Sequence, residues 1–492
     1  MHPLISLAGG RYRQAPLSAL AVLRVATATG SIALLAACQT LTPDAGVGPV
    51  AKFVNDELGK KVVAIRNDED AEDARNAIRR LLRRPLTADA AVQVALLNNR
   101  GLQAVYNELG TAEAVMVRAS LPPSPSFSIS SFTGGGELEI ERKIIGNILA
   151  LATLPARAEI ASQRFQQAQL RAIAGTLRVA IDARRAFYGA VAESELVLFL
   201  AQAQTAAQTA AQLGKRLGES GALNKLDQAR EQVFYADVTT QLASARQRAD
   251  AARERLIRAL GLWGRDVDVR LVRTLPALPA RPRALPAIET EAVRRRVDLQ
   301  IARIEVETLA KSYGLTEATR FINLLDVAGQ SKTVRKADGE IERQHGVEVE
   351  FQIPIFDFGQ TRVREAEQTY MAAVNRLVEK AVNARSDARG AYRKYRASYD
   401  IAAHYRREVL PLRKIISDET LLRYNAMQID VFALLAEARQ RVGANIAAIQ
   451  AQRDFWFANT DLFAVVVGGG SGAGTSEPMQ TATITTGESA GH

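Results

Sequence analysis

The sequence predicts a mainly α fold with a small β part: two duplicated halves, each a pair of long coiled-coil helices preceded by two strands. Three observations predict it. Two distant stretches share one pattern, Asn99-Arg100-Gly101-Leu102-Gln103-Ala104 followed by Leu121-Pro122-Pro123, and Arg296-Val297-Asp298-Leu299-Gln300-Ile301 followed by Ala318-Thr319-Arg320-Phe321. Their offset is far longer than a solenoid period, which marks a duplicated half rather than an array. Ala156 to Leu217 and Gln360 to Leu410 hold no proline and are rich in Ala, Gln and Arg, a helix-forming composition. Shorter stretches alternate with period two. Leu138, Ile140 and Ile144 alternate with Glu137, Glu139, Glu141 and Lys143. Val347, Val349, Phe351, Ile353 and Ile355 alternate with Glu348, Glu350, Gln352 and Pro354.

Taken in order, residues 1–37 read as a secretory signal, with Arg11, Arg13 and Arg24 ahead of the apolar, small-residue run Val25 to Ala37. Cys38 is the only cysteine, so no intramolecular disulfide can form. Leu35-Ala36-Ala37-Cys38 resembles a bacterial lipobox, which implies cleavage before Cys38 and a covalent lipid on it. Several acyl chains hold firmly where one is marginal. Gln39, in place of Asp, points by the same resemblance to the outer membrane. Residues 38–86 lead from the lipid toward the helical body, with Asp68-Glu69-Asp70-Ala71-Glu72-Asp73 as a solvated loop or helix start. Residues 87–275 form the first repeat and 290–465 the second. The Pro-rich stretch 276–289 (Pro276, Pro279, Pro282, Pro286) separates them. Pro411 kinks the last long stretch before it resumes to Tyr424. Residues 466–492, rich in Gly, Ser and Thr, read as a disordered tail.

Function classes narrow quickly. Apolar residues make up 47% and charged residues 24% of the 492, which excludes a wholly disordered chain. Part of the net charge of +10 lies in the signal, and the remaining arginines are interspersed with acids along helices. That is a solvated helical face, not a nucleic-acid groove. No G-x-S-x-G, H-E-x-x-H or P-loop occurs, so the chain is not read as an enzyme and no metal site or cofactor is expected. His345 and His404 read as surface residues.

Sixty helical residues would extend about 90 Å, a length that implies a coiled coil or a helical tunnel. The alternating strands have the pattern of membrane-spanning β-strands, apolar to lipid and polar to lumen; a half-buried soluble hairpin shares it. Four strands cannot close a barrel in lipid, and an open edge there leaves backbone groups unpaired. If these strands span a membrane, several chains share one barrel.

These features together resemble the TolC-like outer-membrane efflux protein family, over about residues 87–465. The resemblance rests on the duplicated halves and on Leu121-Pro122-Pro123. It rests also on Ile353-Pro354-Ile355-Phe356-Asp357-Phe358-Gly359, and on the helical turns Gly221-Ala222-Leu223-Asn224-Lys225-Leu226-Asp227 and Tyr424-Asn425-Ala426-Met427-Gln428-Ile429-Asp430. In the strand-ending motif Pro354 stops ladder pairing, Asp357 caps the following helix and Gly359 permits the tight turn. The first half departs from the motif, with Asn147 to Pro155 in its place.

The resemblance implies a homotrimer whose chains each give four strands to one twelve-stranded transmembrane barrel. The helices then form a tunnel through the periplasm. It implies a periplasmic adaptor and an inner-membrane transporter as partners, with the lipid bilayer, and export as the function. It also implies a latch at the helical turns, an Asp227–Tyr424 hydrogen bond; the local alternative is a solvated charge and a locally packed tyrosine. The family's paired acids fall on Ala433 and Ala436 and its arginine on Ile429, so the usual aspartate ring is missing. Asp430 or Glu437 would have to replace it, and Asp430 also suits a helix cap. Glu137, Glu139, Glu141, Glu348 and Glu350 would make the barrel interior acidic if their face lines the lumen. With five Met and four His, the chain carries no cluster of the kind a copper or silver path would use. The alternative reading is a lipid-anchored periplasmic coiled-coil scaffold or adaptor without a pore.

Overall fold

The computed structural model describes residues 41–468 apart from Ala222. The signal, Cys38 and the stretch from 469 lie outside the described residues. The chain opens with α1 (Gly48–Leu58), α2 (Asp68–Leu82), α3 (Ala88–Asn98) and α4 (Arg100–Ser120). Strands β1 (Ser126–Gly134) and β2 (Glu137–Asn147) follow, then α5 (Ile148–Ala152), α6 (Leu154–Glu219) and α7 (Lys225–Leu260). The second half repeats that order. It runs α8 (Ile288–Arg295), α9 (Val297–Ala318), β3 (Leu324–Arg335), β4 (Ile341–Gln352), α10 (Gln360–His404), α11 (Leu410–Asn425) and α12 (Val431–Phe463). Among the described residues, no helix is long and apolar enough to cross a membrane.

Local chemistry sets the helix starts. Asn67, Thr87, Asn99, Asn147, Asn224 and Asp430 each accept a backbone N–H from three residues on, satisfying a donor that the first helical turn leaves free. The acidic run Asp68–Asp73 is thus a helix start, with Asn67 as its cap. At 1.5 Å per residue the 66 residues of α6 extend roughly 100 Å. Its buried Ala203, Ala207 and Ala211 recur every fourth residue, so α6 and α7 pack closely, with Val238 of α7 in the same small core.

Most of the core sits at a waist midway along the long helices. Tyr395 and Phe455 are fully buried there, ring centroids 5.6 Å apart, and Tyr399 meets Phe455 edge-on at 5.7 Å. The Pro-rich stretch is a strap across this waist rather than a free link. Tyr399 donates to the carbonyls of Pro279 and Ala280 at 3.0 Å, Trp456 donates to Pro276 O at 3.0 Å, and Tyr395 accepts the Arg283 N–H at 3.1 Å. Prolines leave carbonyls without a ladder, and the aromatic hydroxyl and indole donors take them.

Three expected boundaries shift. Strand β4 stops at Gln352, so Ile353 and Ile355 are not in it; the last pairing is Leu324 with Gln352, because Pro354 offers no N–H to extend the ladder. The helix break lies ahead of Pro411, as a π turn over Tyr405–Val409. The proline ring would collide with the carbonyl four residues back, and the wider turn makes room for it. The expected tail begins too early at 466. Val465, Val466 and Val467 close a final π turn, Ala464–Gly468, and are buried in the waist.

Candidate functional site

The four strands form one antiparallel sheet in the order β1-β2-β3-β4, with β2 and β3 joining the two halves. Directly paired residues share a face. The register therefore puts Glu137, Glu139 and Glu141 of β2 on the same face as Glu348 and Glu350 of β4. Asp326 and Glu342 stand there too, which the sequence reading missed. Two lysines temper these acids. Lys332 lies 2.6 Å from Glu139, and Lys143 reaches over the small, buried Ala328 to Glu348, also at 2.6 Å. Seven carboxylates to two ammonium groups leave the face strongly acidic.

The opposite face is uncovered, and apolar toward its helical end. Phe127, Ile129 and Val347 are more than 70% exposed, and Val349 and Phe351 more than half. Among the described residues, the outer edges of β1 and β4 carry no partner strand. The sheet thus has one acidic face, one face free of carboxylates and apolar toward the helices, and two open edges.

At its base, Asp357 accepts the amide of Gly359 at 2.9 Å and both the amide and hydroxyl of Thr361. The Thr361 hydroxyl, with these amides, holds its carboxyl below the usual range. Gly359 has φ of +73°, and a Cβ there would lie 2.2 Å from the Arg320 carbonyl oxygen, so only glycine fits. Pro354 accepts the Phe358 N–H at 2.8 Å. The first half makes the same junction with α5 instead, whose start Asn147 caps at 2.6 Å.

At the far end, two helical turns cap the long hairpins. Asp227 does not reach Tyr424: within the chain no hydrogen bond joins them among the described residues. Its carboxylate accepts from Asn224 Nδ2 at 2.6 Å and Arg230 at 2.8 Å, which occupies it locally. Asp430 is the cap of α12, accepting the Ala433 N–H at 2.9 Å. Glu437 is buried and pairs with Arg413 of its own hairpin at 3.2 Å.

What joins the two hairpins here is Glu231 with Arg439, at 2.6 Å. Arg439 also donates to the Arg230 carbonyl and lies over the Phe234 ring, 4.9 Å from its centroid. Glu231 is 2% exposed, and burial raises its pKa against the pull of Arg439. Higher up, Glu193 bridges Arg248 and Arg453, and Asp461 bridges Arg185 and Lys394. These cross-links were invisible in the sequence because each partner reads alone as a solvated helical charge.

No protein-family model matches the chain. Over 293 residues it is 24% identical to the cobalt-zinc-cadmium resistance protein CzcC of Cupriavidus metallidurans. That match spans 57% of this chain and 66% of the relative, just under two thirds of its length. Among solved structures it is similar to the outer membrane protein VceC of Vibrio cholerae, with a TM-score of 0.65 and 12% identity over 78% of this chain and 96% of that one. It is similar also to CusC, described through its transmembrane channel formation, with a TM-score of 0.63 and 15% identity over 80% of this chain and 92% of that one. At such identities the likeness is one of fold. That fold is the one found in TolC-like outer-membrane channels, as the motifs implied, and the solved neighbours are channels rather than enzymes.

Proposed function

We propose that the chain is the outer-membrane channel of a tripartite efflux system. The observation that carries this reading is the open sheet: an exposed apolar face, an acidic face and unpaired edges, continuous with helices roughly 100 Å long. An apolar face suits lipid, but unpaired edges do not, so β1 of one copy pairs with β4 of the next. The likeness to TolC-like channels supports three copies and a twelve-stranded barrel. Closure turns the acidic face inward to water. The helical body then spans the periplasm, where an adaptor and an inner-membrane transporter deliver the cargo, and a lipid on Cys38 anchors the chain.

Each lumen acid recurs three times around the axis, which builds a local field favouring cations. Metal cations are the cargo that this wall supports best, in keeping with the name of the relative CzcC. The test is the mass of the species extracted by detergent, by light scattering with the detergent subtracted, followed by conductance in a planar bilayer. A trimer with cation-selective conductance is expected. A monomer released from the membrane by Cys38→Ser would sink the channel and favour a lipid-anchored scaffold.

A further inference from the structure

Charge is divided between the two faces of the sheet. All seven strand carboxylates lie on one face, with Lys143 and Lys332. The other face holds no carboxylate, yet it carries Arg142, Arg335, Arg343 and His345. The three arginines are exposed, and among the described residues none has a carboxylate or hydrogen-bond partner for its guanidinium. A water-facing surface would mix both signs; this one does not.

Their height on the sheet is as informative as their sign. From the helical end, the first rows of this face are apolar: Leu325 with Phe351, Val327 with Val349, then Phe127, Ile144 and Val347. The bases begin only above them. Arg142 and His345 share the next row, Arg343 the one after, and Arg335 the last before the β3–β4 turn. Arginine in lipid is costly at the midplane and tolerated near the interface, where its stem lies along apolar surface and its head reaches out. Arg335 and Arg343 are diagonal neighbours on adjacent strands. Arg142 stands two strands from Arg343, roughly 10 Å across the sheet. A planar fork that pairs two oxygens at once suits phosphate better than a point charge would.

We infer that Arg142, Arg335 and Arg343 form a lipid-facing band that binds the phosphorylated headgroups of the outer leaflet, repeated on each copy around the barrel. This rests on the barrel reading above and adds a ligand to its outer wall. The occupant is a membrane lipid, because the arginines adjoin the apolar rows rather than lie in a pocket open to water.

The test uses the full-length trimer in detergent, with lipid A, a glycolipid bearing two phosphates, as the probe and native mass spectrometry as the readout. Wild type is expected to retain lipid A, and to retain its dephosphorylated form at least tenfold less. Arg142→Gln/Arg335→Gln/Arg343→Gln is expected to lose retention by about fivefold per arginine. Lys143→Gln/Lys332→Gln, which removes positive charge from the opposite face, is expected to leave it unchanged. Equal retention in the arginine variant, equal retention of the dephosphorylated lipid, or full displacement by millimolar inorganic phosphate would overturn the inference. The phosphate comparison on wild type decides the matter even if the triple variant does not assemble. A wild-type chain that is no trimer would instead break the barrel reading.

Discussion

The two helical hairpins follow one plan and finish it differently. In the first, α6 is unbroken, and its small residues bury against α7 within the same chain. In the second, α10 gives way to a π turn, and α11 has no buried residue at all. Instead α11 exposes Leu412, Ile415, Ile416 and Leu422; steps of three and four from Leu412, and of seven from Ile415 to Leu422, bring them to one face. An exposed apolar stripe of this kind marks an interaction surface. The duplication kept the order of elements but not the division of labour. The first hairpin also leaves Leu198, Leu213, Leu226 and Val233 exposed, but only α11 among these long segments buries nothing, a seam that a further copy covers in the proposed trimer.

Six substitutions would break or sharpen that comparison. The largest effect is expected from Gly359→Ala, at the junction peculiar to the second half. It forces a Cβ into the Arg320 carbonyl and should cost about 3 kcal/mol or more. Thr153→Ala, at the matching junction of the first half, loses only a hydroxyl contact with helical carbonyls and should cost about 1 kcal/mol or less. Heat resistance of the assembled species in detergent reads both, and equal losses would show that the junctions are equivalent.

Ile415→Glu comes next. If the α11 seam meets another copy, a buried unpaired carboxylate should drive the trimer to monomer in light scattering. If the seam faces water, the change should stay within about 0.5 kcal/mol.

Arg439→Ala removes the partner of a buried carboxylate from the link between hairpins. We expect about 2 kcal/mol of local loosening, below the fully buried case because the arginine is partly exposed. Faster amide exchange at both turns and a higher conductance would report it. Glu231→Gln should behave oppositely. Burial raises the folded pKa of Glu231 above its ordinary 4.5, so the folded state binds the proton more tightly. Its contribution to stability is therefore greatest at low pH and falls as pH rises through the folded pKa. Relative to Glu231→Gln, wild type should lose stability as pH rises from about 4.5, and a pH-independent difference would remove the burial argument.

Pro411→Ala should have the smallest effect, within about 1 kcal/mol, because the π turn has already absorbed the ring. Protection of the new amide at position 411 would show the helix closing over the break.

Legibility in the sequence followed the range of the signal. The start of α10 at Gln360 was readable because Asp357 and Gly359 are local devices. The faces of β2 and β4 were readable because period two survives a misplaced strand end. Asp326 escaped notice because Leu324-Leu325-Asp326-Val327-Ala328-Gly329 does not alternate cleanly; only its register against Asn147 and Glu350 sets its face. Glu231 and Arg439 lie 208 positions apart, and nothing near either one announces the other. Within the chain Asp227 meets Asn224 and Arg230, each three residues away, rather than Tyr424.

The buried end of the last π turn bears on how this chain comes into being. Val465, Val466 and Val467 share one core with Val47, Val50 and Val54, near the other end of the described chain. Contacts of such sequence separation form slowly, since the intervening chain must be ordered before they are rewarded. The waist cannot close until the chain has been made as far as Val467. Up to that moment its apolar strands and seams stand open, the kind of surface that aggregates unless a chaperone holds it. Truncation just before Val465 should therefore show itself first in the amount of folded protein that escapes aggregation.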